Sequence, residues 1–488
     1  MENRMAMDID KLVQSYSPWL NPEKLADWRN LIPDFKRPVF YRLRDDLCAI
    51  DQIISITGPR RVGKSTLLHQ LVDYLLDEQA VDPSHVIYYS LDDPALFRPG
   101  QSGAELIERL MERVHRLGET TYLFLDEIQT LERWEQYLKK YYDLKYPVRI
   151  VVSGSASSPI FKKSRESLLG RVKDYHVLPF SFREFLLYRL KHEGRMELLN
   201  EVESINQTGR DIKGMFVKSP NHIGMDSVSV AQMSNDLWDV AETALKDFLV
   251  DGGFPEVWKL PTPEKKIEYL FDNQVKKVIY EDLVLATEFR KPEQLKAFYV
   301  SLLERPGQEV NTSSLSSSIG VGAQQIEKYL PLLEMTDLLS HASKFRSSPV
   351  RVRKGHRKYY LVDLALRNAV LRLGREILDD SDMLGLYAEN LVFNTLKRWE
   401  GVLQIDYYRD GNSEVDFIVH TNPMRYWPIE VKYRKRASRP EFRGLKHFSR
   451  QFPCHVPAIV TKEREDWGRQ EEPSAFRFPL PQFLLMFD

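Results

Sequence analysis

Cysteine is nearly absent from this chain: Cys48 and Cys454 are the two present, far apart in 488 residues. That argues against a disulfide framework or a cysteine-built zinc site and fits a reducing compartment. An excess of either charge is also lacking. With 69 Lys and Arg against 70 Asp and Glu, the formal net charge is -1, so any nucleic-acid-binding surface must be local. No apolar run approaches the roughly 18 residues of a membrane span. The polar stretch Met1 to Trp19 has no signal-peptide core. These absences lead to the expectation of a soluble cytoplasmic protein. Internal repeats and low-complexity tracts are missing too.

What is present is the composition of a folded protein, 43% hydrophobic and 11% aromatic. The length is too great for one core and suggests about three domains. Residues 58–65 read Gly58-Pro59-Arg60-Arg61-Val62-Gly63-Lys64-Ser65, followed by Thr66. This is a complete phosphate-binding loop. Its glycines let backbone N–H groups turn around a triphosphate, Lys64 reaches the β- and γ-phosphates, and the Ser65 hydroxyl ligates Mg²⁺. The apolar run before it reads as a strand, and Leu67, Leu68, Leu71, Val72 and Leu75 follow at helix spacing. A helix N-terminus there favours phosphate charge. ATP and Mg²⁺ are the expected cofactors.

Tyr122 to Glu127 is an apolar strand ending in two carboxylates. Asp126 would hold Mg²⁺ and Glu127 would act as general base on the attacking water. At the tip of a further strand, 148–154, Ser153 is the candidate polar sensor, with a plain Ser/Gly turn as the alternative. Arg171 reads either as an arginine finger reaching a neighbouring subunit or as a structural salt-bridge residue. Arg60 and Arg61 either touch phosphate or pair with an acidic group.

Strand-like runs at 51–57, 85–91, 121–126 and 148–154 alternate with helical patterns, which predicts a parallel sheet with helices on both faces. The expected organisation is an N-terminal arm (1–40), a P-loop ATPase core (41–189) and an insertion or mobile loop (190–236). A helical segment (237–290), a helix-turn-helix with a possible wing (291–362) and a C-terminal domain (363–488) follow. The helix-turn-helix rests on Gly320-Val321-Gly322 between two helical segments, with six basic residues and no acidic ones from Arg346 to Lys358 as its wing.

The ordered blocks Gly58 to Thr66, Leu123 to Gln129, Val152 to Ser155, Gly170-Arg171, Pro179 to Phe185 and Gly252 to Glu256 carry a resemblance. The chain resembles the archaeal and bacterial AAA-type ATPases related to origin-recognition and STAND ATPases. Members carry a C-terminal domain of uncharacterised function that resembles a restriction-endonuclease fold. The resemblance implies an α/β architecture: a P-loop parallel-sheet ATPase domain, a helical lid, a winged helix and a nuclease-like α/β domain. This chain departs from it in the 190–236 segment and in Ser65, where many relatives have Thr; the hydroxyl is kept.

Asp416, Glu430 and Lys432 lie on predicted strands, the last two on one face, and Glu389 lies on the preceding helix. Two carboxylates beside a lysine can bind Mg²⁺ or Mn²⁺ and position water against a phosphodiester. The Glu…Asp…Glu-x-Lys order resembles the PD-(D/E)xK nuclease core. An intact site, a nuclease fold kept only for binding, and surface salt bridges all remain as readings. From Arg425 to Arg450, basic residues alternate with Tyr426, Trp427, Tyr433, Phe442 and Phe448, a mixture suited to phosphate and stacked bases or to a merely solvated face. The expected function is an ATPase controlling a DNA-acting module, with a homo-oligomer required if Arg171 acts in trans. The rival is an ATP-driven switch with an inert nuclease fold that binds DNA or a protein; a partner-triggered toxin or defence component is a third, weaker reading.

Overall fold

The computed structural model describes residues 9–93, 103–155, 168–218, 232–282, 292–304, 306–310, 312–346, 357–399, 402–422, 425–434 and 442–488. They fall into two compact units. The first is Met1–Leu178 with Tyr280–Arg290 and Met335–Asp337; the second holds the remainder.

In the first unit, α1 (Ile9–Tyr16), α2 (Pro22–Asn30) and α3 (Pro38–Ala49) precede β1 (Ile53–Gly58) and α4 (Lys64–Asp77). Then come β2 (Val86–Ser90), α5 (Gly103–Leu117), β3 (Thr121–Asp126), α6 (Trp134–Asp143), β4 (Val148–Ser155) and β5 (Val172–His176). The strands form a parallel sheet in the order β2-β3-β4-β1-β5. Helices cover both faces of such a sheet, so β1 is buried at all six positions, Ser55 and Thr57 included. The four expected strands are these; β5, short and largely polar, gave no sequence signal. The expected N-terminal arm has short helices from Ile9 onward and packs on this unit. Val13 enters the core, the Trp19 indole donates to Val86 O at 2.9 Å, and Gln70 on α4 donates to Pro33 O and Phe35 O.

The second unit opens with α7 (Phe182–His192), whose capping box joins Ser181 and Glu184, then α8 (Met196–Lys218). Of the two readings of 190–236, the mobile loop is corrected: 23 of its residues are one helix. Val202, Ile205, Ile212 and Phe216 are buried at helical spacing, a pattern hidden by the polar residues between them. Residues 219–231 lie outside the described residues. In the expected lid are α9 (Asn235–Asp251) and α10 (Pro263–Leu270), continued by π-helical turns at Phe271–Lys276 and Val278–Asp282.

Next come α11 (Pro292–Leu303), α12 (Thr312–Ile319), α13 (Ala323–Met335) and the hairpin β6 (Leu339–Lys344) with β7 (Arg357–Leu361). The helix-turn-helix expected around Gly320 has its helices; most of the wing, 347–356, lies outside the described residues. The hairpin does not stand alone, because β6 also pairs in parallel with β8 through Ser343 and Lys344. After α14 (Leu364–Leu371) and α15 (Ser381–Lys397), the chain forms β8 (Gln404–Asp410), β9 (Ser413–Asn422) and β10 (Arg425–Lys432). It ends with α16 (Arg443–Gln451), β11 (Ala458–Thr461), β12 (Gly468–Gln470), β13 (Ala475–Pro479) and the buried α17 (Leu480–Phe487). The mixed sheet runs β12-β13-β11-β10-β9-β8-β6-β7.

Two of the blocks behind the family resemblance meet inside this second unit. Phe180 N donates to Gly253 O at 2.7 Å, and Gly253 N donates to Asp363 Oδ2 at 2.7 Å. A Cβ on Gly253 would stand 2.2 Å from Phe180 O, so only glycine allows the approach. Burial pushes the Asp363 carboxyl up to about 6, against the N–H groups of Gly253 and Ala365.

Candidate nucleotide site and carboxylate cluster

The phosphate loop leaves β1 at Gly58 and enters α4 at Lys64. A Cβ on Gly58 would meet Val177 O at 1.9 Å, Arg61 adopts φ 66° and Gly63 φ 95°. This left-handed backbone turns the loop, and it is why glycine stands at Gly63. Arg37, buried, donates through Nη1 to Val62 O at 3.0 Å and fastens the loop from outside. The Lys64 ammonium donates to Gly58 O (3.1 Å) and Pro59 O (2.7 Å). Burial holds Lys64 below its ordinary value, partly offset by Glu127 and Asp126. Anionic phosphate oxygens are stronger acceptors than these carbonyls, so the ammonium suits a nucleotide's phosphates.

Because β4 lies between β1 and β3, the tips of these three strands are adjacent. Ser65 Oγ donates to Asp126 Oδ2 at 2.6 Å, and Ser153 donates to Asp126 Oδ1. One hydroxyl and one carboxylate form a hard oxygen donor pair, which fits Mg²⁺. Glu127 follows with φ 52°, and its carboxylate accepts from Gln129, whose Oε1 in turn accepts Ser155 N–H at 3.3 Å. Lys64, Ser65, Asp126, Glu127 and Ser153 therefore gather at the C-terminal end of the central strands.

Arg171 does not join them. Its carbonyl accepts Ile53 N–H at the other end of β1, and its guanidinium pairs with Asp143 at 2.8 Å. At about 3.3 Å per residue that is roughly 16 Å from the loop. Three participants were not among the expected site residues: Arg37, Gln129 and Tyr88, whose hydroxyl donates to Asp126 Oδ2 at 2.9 Å. Gln129 lies three residues beyond Asp126 on the turn, and that adjacency was the available clue.

In the second unit, β9 and β10 pair antiparallel as far as Ile429↔Phe417, which sets Glu430 opposite Asp416 one step on. Asp416 Oδ2 accepts Val431 N–H at 2.8 Å, and Lys432 donates to Glu430 Oε1. Glu430 Oε2 is buried without a hydrogen-bond partner. Burial, then the Asp416 charge, push the Glu430 carboxyl up to about 8, opposed by Lys432. Burial lowers the Lys432 ammonium, but Asp416 and Glu430 outweigh it and the net shift is upward. Glu389 on α15 accepts the Tyr360 hydroxyl at 2.8 Å and lies 3.5 Å from Lys358 Nζ. Burial raises it to about 7, Lys358 opposes and Asp416 adds.

Among the described residues no three His, Cys, Asp or Glu side chains form a metal-holding group. Asp416 with the orphan oxygen of Glu430 still fits a single hard cation, since Mg²⁺ commonly takes one or two carboxylates. The aromatic part of the expected nucleic-acid surface is corrected at three of its five residues, Tyr426 and Tyr433 being half-buried. Trp427, Phe442 and Phe448 are buried in the core and cannot stack on bases. What faces outward on α16 is Arg443, Lys446 and Arg450, while 435–441 lie outside the described residues. Lys358, expected in a basic wing, is buried as well.

Residues 51–186 match the family described as AAA domain. With the parallel sheet, the loop and the paired carboxylates, the first unit contains an AAA-type ATPase domain. Residues 242–376 and 384–483 match two families each described as a domain of unknown function, DUF8612 and DUF4143. An uncharacterized protein of Haemophilus influenzae is 24% identical over 375 residues, covering 75% of this chain and 79% of the relative. One from Methanocaldococcus jannaschii is 23% identical over 402 residues, covering 81% and 78%. Among solved structures, the Saccharomyces cerevisiae Hsp104-ADP complex is similar at 13% identity and TM-score 0.30, covering 76% of this chain and 45% of that one. A Thermotoga maritima RuvB mutant is similar at 14% and TM-score 0.25, covering 69% and 92%. Among the described residues no helix is long and apolar enough to cross a membrane.

Proposed function

We propose that the chain binds and hydrolyses ATP with Mg²⁺ and uses the cycle to control a nuclease-like, DNA-acting module in its second unit. Lys64 binds the β- and γ-phosphates, Ser65 and Asp126 hold the metal, and Glu127 takes a proton from the attacking water. Ser153, bonded to Asp126, senses the γ-phosphate. Arg171, remote from its own loop, would act on a neighbour's nucleotide in an oligomer.

The observation that carries the nuclease-like reading is the convergence of Asp416, Glu430 and Lys432, with a buried Glu430 oxygen left unpartnered. A Mg²⁺ or Mn²⁺ ion there would polarise a phosphodiester oxygen. Asp416 and Glu430 would hold it, and Lys432 would stabilise charge on the phosphate. The exposed basic face of α16 supplies contacts for a DNA backbone. Labelled DNA incubated with ATP and Mg²⁺ or Mn²⁺ tests this, with wild type beside Lys64→Ala and Glu430→Ala. Cleavage by wild type, lost in both variants, is the expected result; cleavage surviving Glu430→Ala overturns it.

A second reading is favoured by the lysines already paired with Glu430 and Glu389. There the module is inert in cleavage and ATP drives assembly on DNA or a protein. DNA binding that responds to ATP, without any cut, would select it.

A further inference from the structure

Lys358 lies outside the β9–β10 pair yet inside the carboxylate cluster. It comes from β7, with its side chain 6% exposed, and its ammonium is 3.5 Å from Glu389 Oε1 and 2.9 Å from Glu414 Oε1. Tyr360, two residues along the same strand and so on the same face, donates to the same Glu389 oxygen at 2.8 Å. The register is pinned. Asn390, next to Glu389, accepts Leu361 N–H and donates to Leu361 O, both at 2.8 Å. The β7 strand therefore holds Lys358 over Glu389 through a bracket independent of the ion pair. Burial alone lowers the Lys358 ammonium, but Glu389, Asp416 and Glu414 outweigh it and the net shift is upward, so the cation persists. In the same cluster, Glu430 Oε2 is buried without a hydrogen-bond partner.

We propose that Lys358 is a built-in counter-cation of the nuclease-like site, which withholds Glu389 from a divalent metal and leaves only Asp416 and Glu430 to hold one. The inference rests on the nuclease-like reading above. It is consistent with a cluster rich in carboxylates in which, among the described residues, no three form a metal-holding group. It also gives the hairpin β6–β7 a role at the site: its fixed charge keeps metal affinity low, because like charges at short range in a poorly solvated setting repel.

The test is a Mn²⁺ titration of the nucleotide-free full chain followed by electron paramagnetic resonance. Asp416→Asn defines which binding belongs to this site. Lys358→Met should tighten the Asp416-dependent binding by about 10-fold or more, the scale on which one buried charge shifts a neighbour. Lys358→Arg should keep the wild-type affinity. If Lys358→Met fails to fold by circular dichroism, Lys358→Gln, which can still hydrogen-bond both carboxylates, carries the same expectation. Equal affinity in wild type and the neutral variants overturns the inference while leaving the site reading intact. Tightening that persists when Asp416→Asn is added overturns it too. Asp416-dependent binding in neither protein overturns the site reading and the inference with it.

Discussion

Tyr88 on β2 donates its hydroxyl to Asp126 Oδ2 at 2.9 Å, on the neighbouring strand β3. The same oxygen accepts Ser65 Oγ at 2.6 Å, and the other carboxylate oxygen accepts Ser153. Were Ser65 to turn to a bound Mg²⁺, Tyr88 and Ser153 would keep Asp126 in place. Tyr88→Phe should therefore lower ATP turnover by about 3- to 10-fold, the effect of one hydrogen bond to a charged group, and raise the Mg²⁺ concentration needed. Steady-state rates across a Mg²⁺ series check this; unchanged values would remove Tyr88 from the site.

Glu127 sits beyond Asp126 in a left-handed turn, with its carboxylate bonded to Gln129. A general base contributes about 10²- to 10⁴-fold. Glu127→Gln should bind ATP as wild type does and hydrolyse it at least about 100-fold more slowly. Equilibrium binding of a fluorescent ATP analogue, beside phosphate release, separates the two steps. Loss of binding would mean that Glu127 shapes the loop instead.

Arg171 is paired with Asp143 at the end of the sheet remote from the loop. If it serves a neighbour, wild-type turnover per chain should rise with protein concentration and Arg171→Ala should abolish that rise while leaving ATP binding intact. Turnover independent of concentration in both proteins would reduce Arg171 to its ion pair.

Gly253 passes so close to Phe180 that a methyl group would lie 2.2 Å from its carbonyl oxygen. Gly253→Ala must separate the two segments, at about 1–3 kcal/mol or more. Urea denaturation should show that loss, with the C-terminal sheet affected and nucleotide affinity retained. A stability equal to wild type would contradict the packing described.

Glu430 has a native carboxyl raised to about 8, far above its range in an unfolded chain. The native state then binds a proton that the unfolded state has released. Stability from this group is present at low pH and lost as pH rises from about 4.5 through about 8. Relative to Glu430→Gln, wild type should lose stability with increasing pH, at a slope of up to about 1.4 kcal/mol per pH unit. Denaturant midpoints at about pH 5, 6.5 and 8 measure it, and parallel trends in the two proteins would refute the assignment.

The nucleotide site was legible because its chemistry is contiguous. Gly58 to Ser65 bend and bind within eight residues, and Asp126-Glu127 close one apolar strand. Helix α8 was not legible, because its buried positions are separated by polar residues and it takes its partners from the chain's far end: Asn206 donates to Leu485 O and Asp488 O. The aromatic residues near α16 misled for the same reason, since Trp427 and Phe448 suit stacked bases or a core equally well until burial is known.

By itself the sequence determined the parallel-sheet ATPase domain, the loop, and the pairing of Asp126 with Glu127, because local hydrophobic period and short-range spacing encode them. It also determined which strands carry Asp416, Glu430 and Lys432. Only the tertiary structure decided that Arg37, Tyr88 and Gln129 support the nucleotide site, that Gly253 and Asp363 knit the second unit, and that Lys358 stands among the carboxylates. Apart from the bond of Gln129 to its near neighbour Glu127, those relationships join residues tens of positions apart or more, and Gln129 itself reaches Ser155 on β4. They exist when strand order and packing bring their side chains within hydrogen-bonding range.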